Sequence, residues 1–203
     1  MITEDEMKEF LEKAKEMEFN SVVVSPTYVP LAKEILADTD IKVGSVVGFP
    51  LGFEDTEIKV CEAKELVKKD VDEIEVVMNL SYLKDEKYEL LENEIRQLKE
   101  VAGDKILKVI IETKALEDYE KANAAKVAEN SGADFVKTST GFSSYGATAE
   151  DVALLKTITN DEIKIKASGG IRNFEIAESM LAAGADIVGT SAGKQLLVSC
   201  ENE

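Results

Sequence analysis

Short β-branched runs and amphipathic helical stretches alternate along this chain about every 22 to 33 residues without a break. Strands are predicted at 21–26, 41–49, 72–79, 106–113, 132–141, 163–170 and 185–193. The helices between them are predicted at about 29–36, 56–69, 85–101, 117–130, 149–157 and 174–183. A further helix at 3–18 opens the chain, where Thr3 and Glu6 fit a capping box and Phe10, Leu11, Ala14 and Met17 recur at helical spacing. Such alternation builds a parallel sheet from right-handed βαβ units. No Ser/Gly-rich linker divides it, so residues 1–203 read as one α/β domain.

Polar residues cluster at the C-terminal ends of nearly all the strands: Ser25, Asn79, Glu112, Thr138-Ser139-Thr140, Ser168 and Ser191. A (β/α)8 barrel of the TIM type distributes its site in this way, whereas a doubly wound sheet concentrates it at one switch point. The expected fold is therefore a TIM-type barrel. Only seven strands are readable, and the 203 residues fall below the usual ~250. The shortage is at the front, where the chain opens on a helix instead of a first strand.

Composition removes several kinds of chemistry. Histidine is absent, so proton transfer must use Lys, Glu, Asp, Tyr, Cys or water. The two cysteines, Cys61 and Cys200, are far apart in sequence and suggest neither a disulfide framework nor a zinc site, which makes a reducing cytoplasm the default. A net charge of −17 repels nucleic acid and anionic lipid, and no run approaches the ~18 apolar residues of a membrane span.

The strand at 132–141 carries Lys137 where a core strand would carry Val or Ile. Burying an unpaired ammonium costs several kcal/mol, and most such lysines reach a carboxylate or extend to the strand end. Side-chain alternation, however, places Lys164, Lys166 and Ser168 on one face of their strand and Phe135, Lys137 and Ser139 on one face of theirs. The aliphatic faces should pack on helices, which turns the lysines into the barrel. Glu73, Glu75, Val77 and Asn79 share a face in the same way.

A lysine that acts as a nucleophile near neutrality needs its pKa lowered from ~10.4 by about three units, or about 4 to 5 kcal/mol. A second ammonium about 5 Å away supplies on the order of 3 kcal/mol at an effective dielectric near 20, and desolvation the rest. The neutral amine can then attack a carbonyl, and the resulting iminium draws electrons from a breaking carbon–carbon bond. A carboxylate such as Glu75 can shuttle protons through water. Independently, Ser168-Gly169-Gly170-Ile171-Arg172 and Gly189-Thr190-Ser191-Ala192-Gly193 follow the last two strands, where TIM barrels commonly hold a phosphate.

VKTSTGF (Val136 to Phe142), KASGGIR (Lys166 to Arg172), KVIIET (Lys108 to Thr113), VVGFPLG (Val46 to Gly52) and the Pro26-Thr27-Tyr28-Val29-Pro30 turn resemble deoxyribose-phosphate aldolases, in register from about residue 3 to 197. The resemblance implies a class I aldolase on a TIM barrel, working without metal or other cofactor. Its substrate would be 2-deoxy-D-ribose 5-phosphate, cleaved reversibly to D-glyceraldehyde 3-phosphate and acetaldehyde. Lys137 matches the Schiff-base lysine and Lys166 the lysine that perturbs it and joins the proton relay. Gly169, Gly170, Gly189 and Ser191 match the phosphate-binding turns. Barrels of this kind often dimerise, so a homodimer is expected, although no apolar stripe marks its interface.

Three departures from the family pattern carry expectations. The relay aspartate of the family's D-E-I-D segment is Glu75 here. One methylene moves a carboxylate by roughly 1.5 Å, so Glu75→Asp is expected to raise turnover unless the backbone compensates. Lys164 stands where relatives often have a small residue, and is expected to pair with Glu75 or Glu112 inside the barrel. The family's usual Ile-Asp-His-Thr-Leu-Leu-like first strand does not precede the opening helix, so the edges at 21–25 and 186–190 need cover. Two competing readings follow: an impaired phosphosugar-binding relic, or another phosphate-binding barrel such as a synthase or isomerase, whose activity would survive Lys137→Ala.

Overall fold

The computed structural model describes residues 2–143 and 146–200, the last four of these by backbone alone. The elements run α1 (Glu4–Glu16), β1 (Ser21–Val23), α2 (Val29–Ile35), β2 (Lys42–Val47), α3 (Thr56–Lys68), β3 (Glu73–Val77), α4 (Leu80–Lys84) and α5 (Tyr88–Ala102). They continue as β4 (Ile106–Ile110), α6 (Asp118–Asn130), β5 (Phe135–Lys137), α7 (Ala149–Ile158), β6 (Lys164–Ser168), α8 (Phe174–Ala182), β7 (Ile187–Gly189) and α9 (Gly193–Cys200). All seven strands are parallel and neighbours in sequence are neighbours in the sheet, the topology of a TIM-type barrel.

Every strand expected from the sequence is present, and α1 starts at the capping box of Thr3 and Glu6. Two helices were not expected. Asn79 accepts hydrogen bonds from the Ser81 and Tyr82 amides and so opens α4 directly after β3. The last helix is α9 rather than α8, and it starts inside the 189–193 glycine cluster. The strands are also shorter than expected at their C-terminal ends, because those residues leave the ladder to form the mouth of the barrel.

Three aspartates fix strand register. Asp72 accepts the Val43 amide, Asp134 the Leu107 amide and Asp186 the Ile165 amide, each at 2.7 to 2.8 Å. An aspartate just ahead of β3, β5 and β7 thereby pins the start of the preceding strand. The face toward the helices carries the contiguous core, including Ile74, Val76, Leu107, Val109, Val136 and Ile165. Val77, Ile110 and Phe135 are buried as well but lie on the other face, outside that core.

The sheet is curled. In a flat sheet β3 and β6 would lie about 14 Å apart, yet Glu75 of β3 and Lys166 of β6 are in contact at 2.7 Å. β1 and β7 are the two edges, and no ladder joins them among the described residues. Phe19, just after α1, packs against Gly193 beside β7, where a Cβ would lie only 2.6 Å from its ring.

Candidate active site

Glu75, in the middle of β3, is buried inside the curled sheet with a lysine on each oxygen. Lys137 donates to Oε2 at 2.6 Å and Lys166 donates to Oε1 at 2.7 Å, and all three side chains are buried. The register explains the convergence. Lys137 and Lys166 are Cα partners on β5 and β6, so both point inward, and curvature brings the carboxylate of β3 to them. A carboxylate therefore bridges the two amines.

Electrostatics follow from that bridge. Burial would push the Glu75 carboxyl up, but the Lys137 and Lys166 ammonium groups overcome it and hold the carboxyl at about 2. Burial is also the largest influence on Lys137 and lowers it below the ordinary lysine value. Glu75 opposes that shift, while Lys166 adds to it. Desolvation, rather than the neighbouring cation, is thus the principal cause, which reverses the order expected from sequence.

The expected anion-binding turns are brought together. Gly169 and Gly170 both adopt positive φ, 88° and 72°, and the Thr190 hydroxyl donates to the Ile171 carbonyl at 2.6 Å, tying the turn after β7 to the turn after β6. Ser191 is exposed in the second turn. Gly189 has a different neighbour: a Cβ there would lie 2.8 Å from Lys166 Cε, so this glycine makes room for the lysine stem. Gly146, unremarked in the sequence, lies against the first turn, where a Cβ would fall 2.0 Å from the Gly169 carbonyl oxygen.

Lys164 does not pair with Glu75 or Glu112. It lies exposed two residues below Lys166, with its amine 5.9 Å from the centre of the Phe135 ring. Two residues along a strand are about 6.6 Å, too far down the barrel to share the cluster. Glu112 instead holds the loop after β5: it accepts the Thr140 amide at 3.0 Å, the Thr140 hydroxyl at 2.6 Å and the Ser143 hydroxyl at 3.2 Å. Its own backbone is left-handed (φ 50°), a conformation uncommon for glutamate. Beside this loop Phe142 meets Phe49 edge-on, their centroids 5.2 Å apart, so the loops after β2 and β5 touch at the mouth. Periodicity could not assign these partners, because Glu112, Thr140 and Ser143 belong to irregular backbone. Cys61 is a free, exposed thiol, and the Cys200 side chain lies outside the described residues.

The family model for DeoC/LacD family aldolases matches residues 2–198. The chain belongs to the DeoC/LacD aldolase family. It is 44% identical over 201 residues to the deoxyribose-phosphate aldolase of Staphylococcus carnosus, covering 99% of this chain and 91% of that one. Among solved structures it matches an aldolase called QR15 with a TM-score of 0.95 and 41% identity, covering 99% of this chain and 90% of the other. It also matches the tetrameric deoxyribose phosphate aldolase of Aeropyrum pernix, with a TM-score of 0.91 and 31% identity over 98% of this chain and 85% of that one. For a DeoC/LacD aldolase, the glutamate at position 75 leaves no gap in the lysine cluster, since it touches both amines. Nothing in the geometry or in these relatives favours the impaired reading.

Proposed function

We propose that this chain reversibly cleaves 2-deoxy-D-ribose 5-phosphate to D-glyceraldehyde 3-phosphate and acetaldehyde through a Schiff base on Lys137. The observation that carries the assignment is the buried Lys137–Glu75–Lys166 arrangement, in a barrel whose relatives are named as deoxyribose-phosphate aldolases. Neutral Lys137 attacks the aldehyde carbon of the open-chain sugar. The carbonyl oxygen takes a proton to give a carbinolamine, and loss of water leaves an iminium. The 3-hydroxyl then loses its proton, the C2–C3 electron pair moves toward the iminium, and D-glyceraldehyde 3-phosphate departs. Protonation of the enamine carbon and hydrolysis release acetaldehyde and return the lysine.

Lys166 and Glu75 are the proton carriers in this scheme. With two ammonium groups on it, Glu75 is too weak a base to take a proton. Once Lys137 has lost its charge, one of the two cations holding the carboxyl down is gone, and Glu75 becomes a better acceptor. Gly169, Gly170 and Ser191 are assigned to the phosphate end, where backbone N–H groups and the start of α9 supply positive potential against the acidic surface, while Gly189, expected at that end from the family motif, is assigned instead to the Lys166 stem it makes room for.

Residues 1–203 act as one domain in this proposal, supported by the single continuous sheet. A homodimer remains the proposed assembly, and light scattering would measure it; the A. pernix relative is a tetramer. No described helix is long and apolar enough to cross a membrane. A cytoplasmic site of action is proposed from the two widely separated cysteines. The deciding experiment is borohydride reduction with acetaldehyde. An adduct on Lys137 that is lost in Lys137→Ala supports the assignment, and cleavage surviving Lys137→Ala refutes it in favour of a Schiff-base-independent enzyme.

A further inference from the structure

A second buried ion pair lies in the barrel beneath Glu75. Lys108 of β4 donates to Glu73 Oε2 at 2.7 Å, and neither side chain is accessible to solvent. Lys108 also places its amine 4.8 Å from the centre of the Phe135 ring. It is the Cα partner of Glu75 on one side and of Phe135 on the other, two residues before Lys137. The pair therefore shares one enclosed space with the Lys137–Glu75–Lys166 cluster.

The charged groups facing that space come from four strands. β3 supplies Glu73 and Glu75, β4 supplies Lys108, β5 supplies Lys137 and β6 supplies Lys166. Lys164 and Lys42 stand on the same face at the solvent-open lower rim, and Glu112 lies beyond the upper end of β4. The inward positions of β1 and β7 carry no charge: Ser21 and Val23 on one, Ile187 and Gly189 on the other. Among the described residues, three amines thus face two carboxylates in the enclosed part. Glu73 is engaged by Lys108, so among the described residues Glu75 is the one carboxylate in contact with both Lys137 and Lys166, with Glu112 acting on Lys137 only from a distance.

We propose that the Lys108–Glu73 pair is a positioning element that keeps Lys137 uncharged: by engaging Glu73, Lys108 denies the upper cluster a second counter-charge, and Lys137 is the amine that gives up the surplus proton. Lys108 touches no reacting atom in this scheme. It acts through charge at a distance of one register step, where a buried unit charge is worth about one pH unit or more in a neighbour's midpoint. Burial lowers the Lys108 amine too, with Lys166 adding and Glu73 opposing, so the two layers sense each other.

The test is an NMR titration of lysine side-chain Nζ and Cε signals in the full chain, without substrate. In the wild type, Lys137 is expected to titrate lowest of the three enclosed lysines. A Lys108 or Lys166 midpoint below that of Lys137, or a Lys137 still cationic above about pH 9, overturns the proposal. Lys108→Met frees Glu73 and should raise the Lys137 midpoint by about one unit. Glu73→Gln removes a carboxylate and should lower it, and the double variant should return toward the wild-type value. A merely structural pair would move both single variants in the same direction or leave the midpoint within about 0.3 unit, and either result refutes the inference. Each single variant carries its own sign, so one that folds suffices, and the wild-type titration decides the matter if neither does. The inference rests on the Schiff-base assignment, but the two fail separately. A missing borohydride adduct at Lys137 sinks that assignment, whereas the titration judges the charge balance alone.

Discussion

Lys166 Nζ lies 2.7 Å from Glu75 Oε1, although three strand spacings separate β6 from β3 along the sheet. The contact depends on curvature as much as on the residues, and it makes Glu75 the junction of the site. The geometry reverses the expectation that aspartate would serve better at position 75. Glu75 already reaches both lysines, so Glu75→Asp should withdraw the carboxylate by roughly 1.5 Å and lower kcat by about tenfold to 10²-fold. Steady-state cleavage of the phosphorylated deoxysugar is the measurement, and unchanged or higher kcat contradicts the bridging role.

Acid should weaken the fold through the same residue. The folded pKa of Glu75 is depressed to about 2 from an ordinary 4.5. Its contribution to stability is therefore complete above about pH 4.5 and lost as pH falls toward 2, amounting to roughly 3 kcal/mol for a shift of that size. Urea midpoints between pH 6 and pH 3 should fall more steeply in the wild type than in Glu75→Gln. Parallel slopes would show that the bridge does not hold the carboxyl down.

A different buried pair should matter for stability alone. Lys59 of α3 donates to Glu94 of α5 at 2.8 Å and to the Val77 carbonyl at 2.9 Å, fully buried between helices and sheet. Lys59→Met leaves Glu94 uncompensated and should cost about 3 to 5 kcal/mol. Lys59→Met with Glu94→Leu should recover most of that loss in urea unfolding, since an apolar pair of similar volume is tolerated there. No recovery would mean that the Val77 carbonyl contact is the greater part.

Two glycines separate the chemical end of the site from the proposed phosphate end. Gly189→Ala places a methyl 2.8 Å from Lys166 Cε and should lower kcat with little change in KM. Gly146→Ala drives a methyl to 2.0 Å from the Gly169 carbonyl oxygen, which is backbone and cannot step aside cheaply. It should raise KM for the 5-phosphate by about tenfold, the effect of roughly 1.4 kcal/mol, and alter KM for unphosphorylated 2-deoxyribose much less. Equal effects on both substrates would dissociate the Gly169-Gly170 turn from phosphate.

Removing the loop anchor offers a further check. Glu112→Gln keeps the shape but loses the charge that receives Thr140 and Ser143. Charge-assisted hydrogen bonds are about twice as strong as neutral ones, so the 140–143 segment should show faster amide exchange and kcat should drop several-fold. Exchange as slow as in the wild type would mean that the Thr140 contacts are dispensable.

Much of the architecture was legible because its causes are local. Period-2 and period-3.6 patterns mark the strands and helices, and the alternation of side chains along β5 and β6 alone puts Lys137 and Lys166 on the inward face. Family motifs then supplied the chemistry. Short helices were missed where their cause is a single cap, as with Asn79 at α4. Alternation gives a face but not a depth, so it does not reveal that Lys164, which shares the face of Lys166, ends over Phe135 at the open rim.

The order of strands, the inward lysines and the family are written in the chain itself, since they follow from nearest-neighbour geometry and motif spelling. That Glu75 bridges two amines, that Lys108 engages Glu73 and that burial is what chiefly lowers Lys137 emerge only from the folded packing. Contacts between residues 35 to 91 positions apart depend on how far the sheet curls and how much water it excludes. Both are properties of the curled sheet as a whole, and no stretch of the chain carries them alone.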